Sequence, residues 1–575
     1  MPATIFPSLA IGRRLPNLWD GVAILCVIGA LVGIVHVAQG TFTRIDAPGA
    51  TEVSLDPANL PEYAVRTTLR MFAALSLSLL FTFTYGTAAA KSRRAGMILV
   101  PLLDVLQSVP ILGFLTFTVV FFMSLFPGQV MGLEFAAIFA IFTSQAWNMA
   151  FSMYQSLKTV PRDLLETSRG FHLSAWQRFW RLEVPFAVPG LVWNTMISMS
   201  GGWFFVVASE AVSVGDNVWK LPGIGSYVAV ALEKRDITAV AYAIVTMLVV
   251  ILIYDQVLFR PLVAWSAKFR METTPGATAA DPWMLRLMRR TRLLAVAGRT
   301  IGDAASTIGW LRMSARPARV ERGRRRPSRI VDIVLLLLLA GVLAWVGWWI
   351  AVFSARALTW ADIGRAVGLG MITFLRVAVM ITLASLLWVP IGVWLGLRPA
   401  WARRAQPVTL FLSAFPANLL FPPVVLTIVH FGLTPDIWLT PLIILGTQWY
   451  ILFNVVAGAA ALPGDLLEAA SNFRVGGFLW WRRVMIPAVF PHYITGAVAA
   501  SGGSWNAAIV AEVASWGETR LQAHGLGAYI AAAAERGDIA RVLLGVVVMA
   551  AFVVLLNRVL WRPLATYAER RLTLS

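Results

Sequence analysis

The chain has 575 residues, 58% of them apolar and only 13% charged, with a mean hydropathy of +0.73. That charge density is too low to solvate a soluble protein of this size. Runs such as 330–353 (IVDIVLLLLLAGVLAWVGWWIAVF) exceed the ~20 apolar residues a helix needs to cross a bilayer, and they do not alternate as barrel strands do. The net charge of +19 lies in short stretches beside these runs, as the positive-inside bias requires, so it points to orientation in membrane lipid and not to nucleic acid. A single cysteine, Cys26, excludes an intramolecular disulfide, and the five histidines show no metal-ligand spacing.

In chain order, twelve spans are expected, near 20–38, 66–90, 97–124, 134–157, 186–211 and 238–259, then 330–353, 367–396, 407–430, 437–457, 488–512 and 539–561. The fold class is therefore all-α polytopic membrane protein. Arg13 and Arg14, KSRR at 91–94, the segment 260–329, RPAWARR at 398–404 and the basic C-terminal tail fall on one side, the cytoplasm, with both termini there. Arg13 and Arg14 before an apolar run also have the layout of a signal peptide, but the run is long for one and its cleavage-site pattern is poor. The arginine-rich connection between the halves holds no spanning run; a short amphipathic helix on the membrane surface is expected near Trp283–Val296.

The two halves repeat. At an offset of 302 positions Pro161 meets Pro463, Asp163 meets Asp465, Glu166 meets Glu468, Phe171 meets Phe473 and Arg181 meets Arg483. The same offset pairs Pro185 with Pro487, Trp203 with Trp505, Glu210 with Glu512, Gly223 with Gly525, Gly225 with Gly527, Glu233 with Glu535 and Asp236 with Asp538, without a gap. Earlier the offset is 306, pairing Arg70 with Arg376, Gly86 with Gly392, Pro101 with Pro407 and Pro110 with Pro416. The division is a first repeat at 1–262, a basic linker at 263–329 and a second repeat at 330–575. Each repeat starts and ends on the same side, so they are parallel six-helix repeats, an arrangement that suits a pathway between equivalent halves.

Between the fourth and fifth spans of each half the chain is interrupted by DLLETSRGFHLSAWQRFWRLEVP (163–185) and DLLEAASNFRVGGFLWWRRVMIP (465–487). Leu165, Phe171 and Trp176, and in the second copy Leu467, Phe473 and Trp480, form a broken apolar face; Asp163, Glu166, Asp465 and Glu468 stay polar. One such helix suits a lipid surface. Two in register suit a dimeric partner with two grooves. These stretches resemble the EAA loop of permease subunits of ABC importers. With GGWFFVVASE (201–210) and GGSWNAAIVAE (502–512), the likeness is to the nitrate/sulfonate/taurine branch, in duplicated single-chain form. The resemblance implies the type I importer permease fold, two copies of an ABC ATPase subunit docked on the loops, a periplasmic substrate-binding protein and a small anionic substrate. In one departure, the glycine usual six residues after the motif's glutamate is replaced by His172 and Arg474, which leaves the turn geometry open.

The chain has no G-x-x-x-x-G-K-[ST] and no GK dipeptide, so ATP and Mg are expected on separate subunits, with no cofactor and no enzyme activity in this chain. A secondary transporter with six-plus-six repeats is the alternative, and a fused permease for iron(III) another. Trp203 and Glu210, like Trp505 and Glu512, are seven residues apart and share a helical face. Arg70 and Arg376 start spans two and eight at the same outer level. Two readings stand: an Arg–Glu clamp in each half, where losing one partner strands a charge that losing the other relieves, or a gate lining the pathway. Gln107, Gln145, Asn148 and Gln448 either satisfy backbone groups near Pro110 and Pro416 or line the pathway. The glycine pairs 201/202 and 502/503 permit close helix packing. LPGIG (221–225) and AHGLG (523–527) read as outer loops that meet a binding protein.

Overall fold

Proline and glycine decide where the apolar runs become helices and where they break. The computed structural model describes residues 52–107, 109–214, 217–269, 283–311, 357–462, 464–516 and 519–572, with scattered positions within 19–45 and 333–352. The expected spans at 20–38 and 330–353 thus fall largely outside the described residues. Elsewhere seven helices are long and apolar enough to cross a membrane: Pro57–Lys91, Val130–Lys158, Ala175–Glu210, Ile237–Phe269, Trp360–Gly396, Gly477–Ala511 and Ile539–Ala568. Pro435–Ile443 and Gln448–Ala460, bent by 42°, make an eighth if taken as one span.

Three expected continuous spans are corrected. The bent pair replaces 437–457. In place of 97–124 the chain forms α2 (Arg93–Leu106) and α3 (Ile111–Leu125), with Pro110 extended between them at φ −68°, ψ 121°. In place of 407–430 it forms α12 (Pro399–Ala414) and α13 (Phe421–His430), with Phe415 and Pro416 extended. Proline lacks the N–H that would continue a helix and disfavours a helical residue before it. The Ile111 N–H freed by the first break donates to Asn506 Oδ1, in the other half, at 2.5 Å.

The remaining elements are α1 (Leu60–Phe81), α4 (Val130–Lys158), α5 (Arg162–Gly170), α6 (Val184–Glu210), α7 (Ile224–Glu233) and α8 (Ile237–Tyr254) in the first half. The linker holds α9 (Trp283–Arg290) and α10 (Arg292–Trp310), so the helix expected near Trp283–Val296 is present as two helices and runs further. The second half adds α11 (Trp360–Gly396), α14 (Gln448–Ala460), α15 (Gly464–Asn472), α16 (Ile486–Ala511), α17 (Leu526–Glu535) and α18 (Ile539–Leu556). The architecture is helical but not purely so. Two antiparallel hairpins follow α6 and α16: β1 (Ala211–Val214) with β2 (Asn217–Lys220), and β3 (Val513–Trp516) with β4 (Thr519–Gln522).

The repeat is geometric as well as sequential. Hairpin, α7 and α8 recur as hairpin, α17 and α18 at the 302 offset, and one-turn π bulges recur at Phe179–Glu183 and Trp481–Met485. Asp236 and Asp538 recur because each caps its final helix, accepting from Ala239 N and Arg541 N at 3.0 Å. Glu233 and Glu535 recur because each ties helix to hairpin, through Lys220 Nζ at 2.7 Å and Arg520 Nη1 at 2.5 Å. The broken spans cross between halves: α3 packs on α16, α17 and α18, and α12 packs on α6 and α8. A single apolar cluster, with Met71, Trp203, Tyr227, Ile443, Trp505 and Met549 at its centre, runs through both halves.

Candidate functional site

At the end of α6 farthest from the 163–185 loop, Glu210 is the point where four elements meet. Its Oε1 accepts from Thr67 Oγ1 at 2.7 Å and from Arg70 Nη1 at 2.6 Å, both on α1. Its Oε2 accepts from the Gly225 N–H at 2.6 Å, in the first turn of α7, where the helix dipole favours an anion. Its backbone carbonyl accepts from Leu221 N at 2.9 Å and Ser226 Oγ at 2.5 Å. Arg70 also forks onto Glu134 of α4, Nε to Oε2 and Nη2 to Oε1, each at 2.6 Å, and Nη2 donates to the Pro222 carbonyl at 3.0 Å. Arg70, Glu134 and Glu210 are all buried.

The second half repeats the plan more loosely. Glu512 Oε1 accepts from Thr373 Oγ1 at 2.7 Å and Arg376 Nη1 at 3.3 Å, and Oε2 accepts from Ala528 N at 3.1 Å. Arg376 Nη2 reaches Asp436 at 2.8 Å, and Asp436 also accepts from the His524 N–H at 2.6 Å. Asp436 is 43% exposed at its side chain where Glu134 is 9%.

The Arg–Glu pairing expected from the sequence is therefore present in both halves, as an ion pair that joins helices. The third member of each was missed. The 302 offset that pairs Glu210 with Glu512 also pairs Glu134 with Asp436; a search limited to identities passes over it. The loops at 221–225 and 523–527 are corrected too. All five residues of the first are buried, and in the second only His524 is exposed. A Cβ on Gly223 or Gly525 would run into the Glu210 or Glu512 carboxylate, so these glycines seat the clamp and offer little surface to a partner.

The other pathway candidates disperse. Trp203 and Trp505 are buried, Trp203 edge-on to Tyr254 at 5.5 Å and Trp505 stacked on Phe552 at 6.1 Å. Gln145 Nε2 reaches Met199 Sδ at 3.3 Å and Asn148 Nδ2 donates to Ser198 Oγ at 3.1 Å, joining α4 to α6 within one half. Gln448 Oε1 accepts from Trp388 Nε1 at 2.8 Å. Gln107 is half-buried in the turn that ends α2. Gly201, Gly202 and Gly503 are closely packed, whereas Gly502 faces open space. The groups that do meet across the halves are others: Ser200 Oγ donates to Ser413 Oγ at 2.8 Å, and the Tyr450 hydroxyl lies 2.6 Å from where a Cβ on Gly201 would sit. Short polar side chains in apolar runs give no periodic signal.

At the opposite end of α6, about 40 Å along a 27-residue helix, stand the two charged loops. Asp163, Glu166, Asp465 and Glu468 are exposed; Leu165 and Leu467 are half-buried. Phe171 is 75% exposed and Phe473 82%, each just past the end of α5 or α15. Trp176 and Trp480 are half-buried, and each packs on an aromatic neighbour, Trp180 or Trp481. By position Phe478, 78% exposed, is the counterpart of Trp176. His172 and Arg474 take φ of 52° and 50°, the left-handed region where glycine is usual. The turn is thus kept despite the loss of glycine, closed by Leu173 N to Ser168 O at 3.2 Å and Val475 N to Ala470 O at 2.9 Å.

Two identical loop turns at one end and two clamps at the other match a described family. The signature of the binding-protein-dependent transport system inner membrane component matches residues 81–259 and 388–573. The chain belongs to that family. It is a multi-pass inner-membrane permease component of a binding-protein-dependent transport system, with its domain present twice. Among similar proteins, the bicarbonate transport system permease protein CmpB of Synechocystis sp. is 27% identical over 183 residues, 32% of this chain and 62% of that protein. The nitrate import permease protein NrtB of Leptolyngbya laminosa is 25% identical over 182 residues, 32% and 62% of the two chains. The glycine betaine/proline betaine permease ProW of Escherichia coli is 25% identical over 193 residues, 34% and 50%. The permease thus spans less than two thirds of the length of each of these relatives.

The three-membered clamp changes what mutation should do. Arg70→Gln leaves Glu134 and Glu210 facing each other while buried, and should cost about 3–5 kcal/mol in unfolding measurements. Glu210→Gln leaves Arg70 held by Glu134 and should cost less, about 1.5–3 kcal/mol. Adding Arg70→Gln to Glu210→Gln should not rescue, because Glu134 is then stranded; rescue needs Glu134→Gln as well. A gain in stability from the Arg70/Glu210 double substitution would contradict the triad. For the loops, His172→Gly and Arg474→Gly should each stabilise by about 0.5–1 kcal/mol, since glycine adopts the left-handed turn without a Cβ penalty. His172→Val should shift thermal unfolding the other way.

Proposed function

We propose that the permease forms the translocation pathway of an ATP-driven importer for a small anion delivered by a periplasmic binding protein, coupled to two copies of an ABC ATPase subunit that hold ATP and Mg. The observation that carries this reading is the pair of loops with one shared turn geometry, each presenting an exposed phenylalanine beside exposed acids. An exposed aromatic on a charged helix end has a use if a groove receives it. Seven or eight spans are present among the described residues; in this reading the proline-broken runs at 97–124 and 407–430 count as one crossing each, and the apolar runs at 20–38 and 330–353, which lie largely outside the described residues, are taken from the sequence as the first of each half. That gives twelve in parallel repeats, with both termini and both loops in the cytoplasm. The relatives named for bicarbonate and nitrate support an anion as cargo.

The pathway in this reading follows the contact between halves, where Ser200, Ser413 and Tyr450 meet. Closing of the ATPase pair would move both loops and rock the halves as rigid bodies. Reconstituted alone in lipid, the chain should turn over no ATP; with its ATPase subunits it should form a complex holding two of them. Phe171→Ala and Phe473→Ala should each weaken that docking by about 2 kcal/mol, roughly 30-fold. Glu166→Lys with Glu468→Lys should uncouple hydrolysis from uptake while the chain stays folded. Unchanged docking and uptake in all of these variants would mean that the loops rest on lipid instead.

A further inference from the structure

The clamp end of the second half holds a cavity of about 450 Å³. It lies between the first turns of α11 and the α17 region, and its polar lining includes Asp362, Arg365, His524, Tyr529, Arg536 and Arg541. One residue of its wall differs in size and polarity from its counterpart in the first half. At the 306 offset Leu369, in the cavity wall, stands where the first half has Tyr63. Tyr63 is buried with its ring 6.2 Å from that of Tyr227, its hydroxyl accepts from Ser54 N at 3.1 Å, and the Tyr227 hydroxyl donates to the Leu55 carbonyl at 3.1 Å. Leu369 is shorter and has no hydroxyl to make such a bond. Tyr529, the counterpart of Tyr227, keeps a buried hydroxyl with no hydrogen-bond partner.

The charges at the cavity have changed as well. Arg365 stands where the first half has Asn59, Arg541 where it has Ala239, and His524 where it has Pro222. Arg541 is held by Asp538 at 2.7 Å and by Asp362 at 3.2 Å. Arg536 donates Nε only to the Ala532 carbonyl, at 2.9 Å. Among the described residues neither Arg365 nor Arg536 has a carboxylate within ion-pair distance. Two guanidinium forks and an unsatisfied phenol around one open volume are complementary to a planar oxyanion.

We propose that this cavity is a binding site for a small oxyanion, a carboxylate- or nitrate-like group, held by Arg365 and Arg536 with Tyr529 as a third donor, on the outer side of the second half only. It rests on the reading of the chain as an anion permease, and gives that permease an entry site on one repeat, apart from the contact between halves. The Asp362 and Asp538 carboxylates already neutralise Arg541, so the ion meets two free cations and is held reversibly.

The test uses the full chain in lipid nanodiscs, with thermal unfolding followed against sodium nitrate and sodium bicarbonate at ionic strength kept constant with sodium chloride, and glycine betaine as a probe without net charge. The expected result is a saturable rise in unfolding temperature with nitrate or bicarbonate and none with glycine betaine. Arg365→Gln and Arg536→Gln should each weaken the half-saturating concentration about tenfold or more. Leu369→Tyr, which restores the tyrosine of the first half without altering charge, should abolish the response. A rise that persists undiminished in all three variants overturns the site, yet leaves an anion permease. Absence of any rise, with Arg365→Gln and Arg536→Gln instead weakening capture of the binding protein, overturns a free ion in favour of a carboxylate on that protein. Anion uptake by the wild-type importer in proteoliposomes, measured separately, decides the permease reading itself.

Discussion

A buried arginine that answers two carboxylates holds the first half together. Arg70 draws α1, α4 and the end of α6 to one point, and the Glu210 carboxylate then caps α7. The cluster carries one more negative than positive charge, and isolated burial of that charge would be costly. What offsets it is a full set of donors: the guanidinium, the Thr67 hydroxyl and an N–H at a helix N-terminus. Several local features follow from this one constraint. Thr67 is placed one turn from Arg70 so that it bridges Glu210 and the Ile224 N–H. Gly223 and Gly225 are glycines because the carboxylate occupies the space a side chain would take. The hairpin after α6 returns the chain to the same residue, with Leu221 N on the Glu210 backbone carbonyl.

The clamp fixes one end of a lever. From Glu210, α6 runs back through the π bulge at 179–183 to the loop bearing Phe171. A helix held by charge-assisted hydrogen bonds at one end passes a displacement of its other end along its length, not into local unfolding. By contrast, the polar contacts between halves at Ser200, Ser413, Gly201 and Tyr450 are made by small or hydroxyl groups without charge, set within the apolar packing of α3 and α12 across the seam. In the transport cycle proposed here, that difference in strength decides where motion goes. The clamps stay shut and the seam opens.

Much of this was legible in the sequence because it rests on residues whose replacement is expensive. Trp, Pro, Gly, Glu and Asp recur at fixed offsets, and the structure shows what each does: Asp236 and Asp538 cap, Glu233 and Glu535 tie down hairpins, Gly223 and Gly525 admit a carboxylate. The left-handed turns were less legible, because His172 and Arg474 adopt a backbone that the sequence pattern assigns to glycine. Hydropathy alone also read 97–124 as one helix. Apolar content does not distinguish a straight span from one broken at Pro110, where the orphaned N–H finds its acceptor on Asn506, hundreds of residues away. Polar groups inside spans misled for a related reason: Gln145 and Asn148 are satisfied by neighbours on α6, and only the fold reveals which neighbours those are.

Duplication within one chain frees each half to change alone, and the changes fall at both ends of the lever. At one end Glu134 becomes Asp436, which is more exposed, and Tyr63 becomes Leu369, in the wall of a cavity beside the clamp. At the other end the linker helix α10 lies on the first loop. Trp310 stacks under Arg181 at 3.4 Å, its carbonyl accepts from Gln177 Nε2 at 3.0 Å, and Gly309 sits 3.6 Å from Trp180 Cβ. Trp176 is half-buried there, while Phe478 at the same position of the second loop is open. A homodimer of identical subunits places any such element on both loops or on neither. In a single chain the two loop ends are chemically distinct, so in the proposed assembly two identical ATPase subunits would meet different surfaces, and the half with the tighter clamp is also the half whose loop is braced.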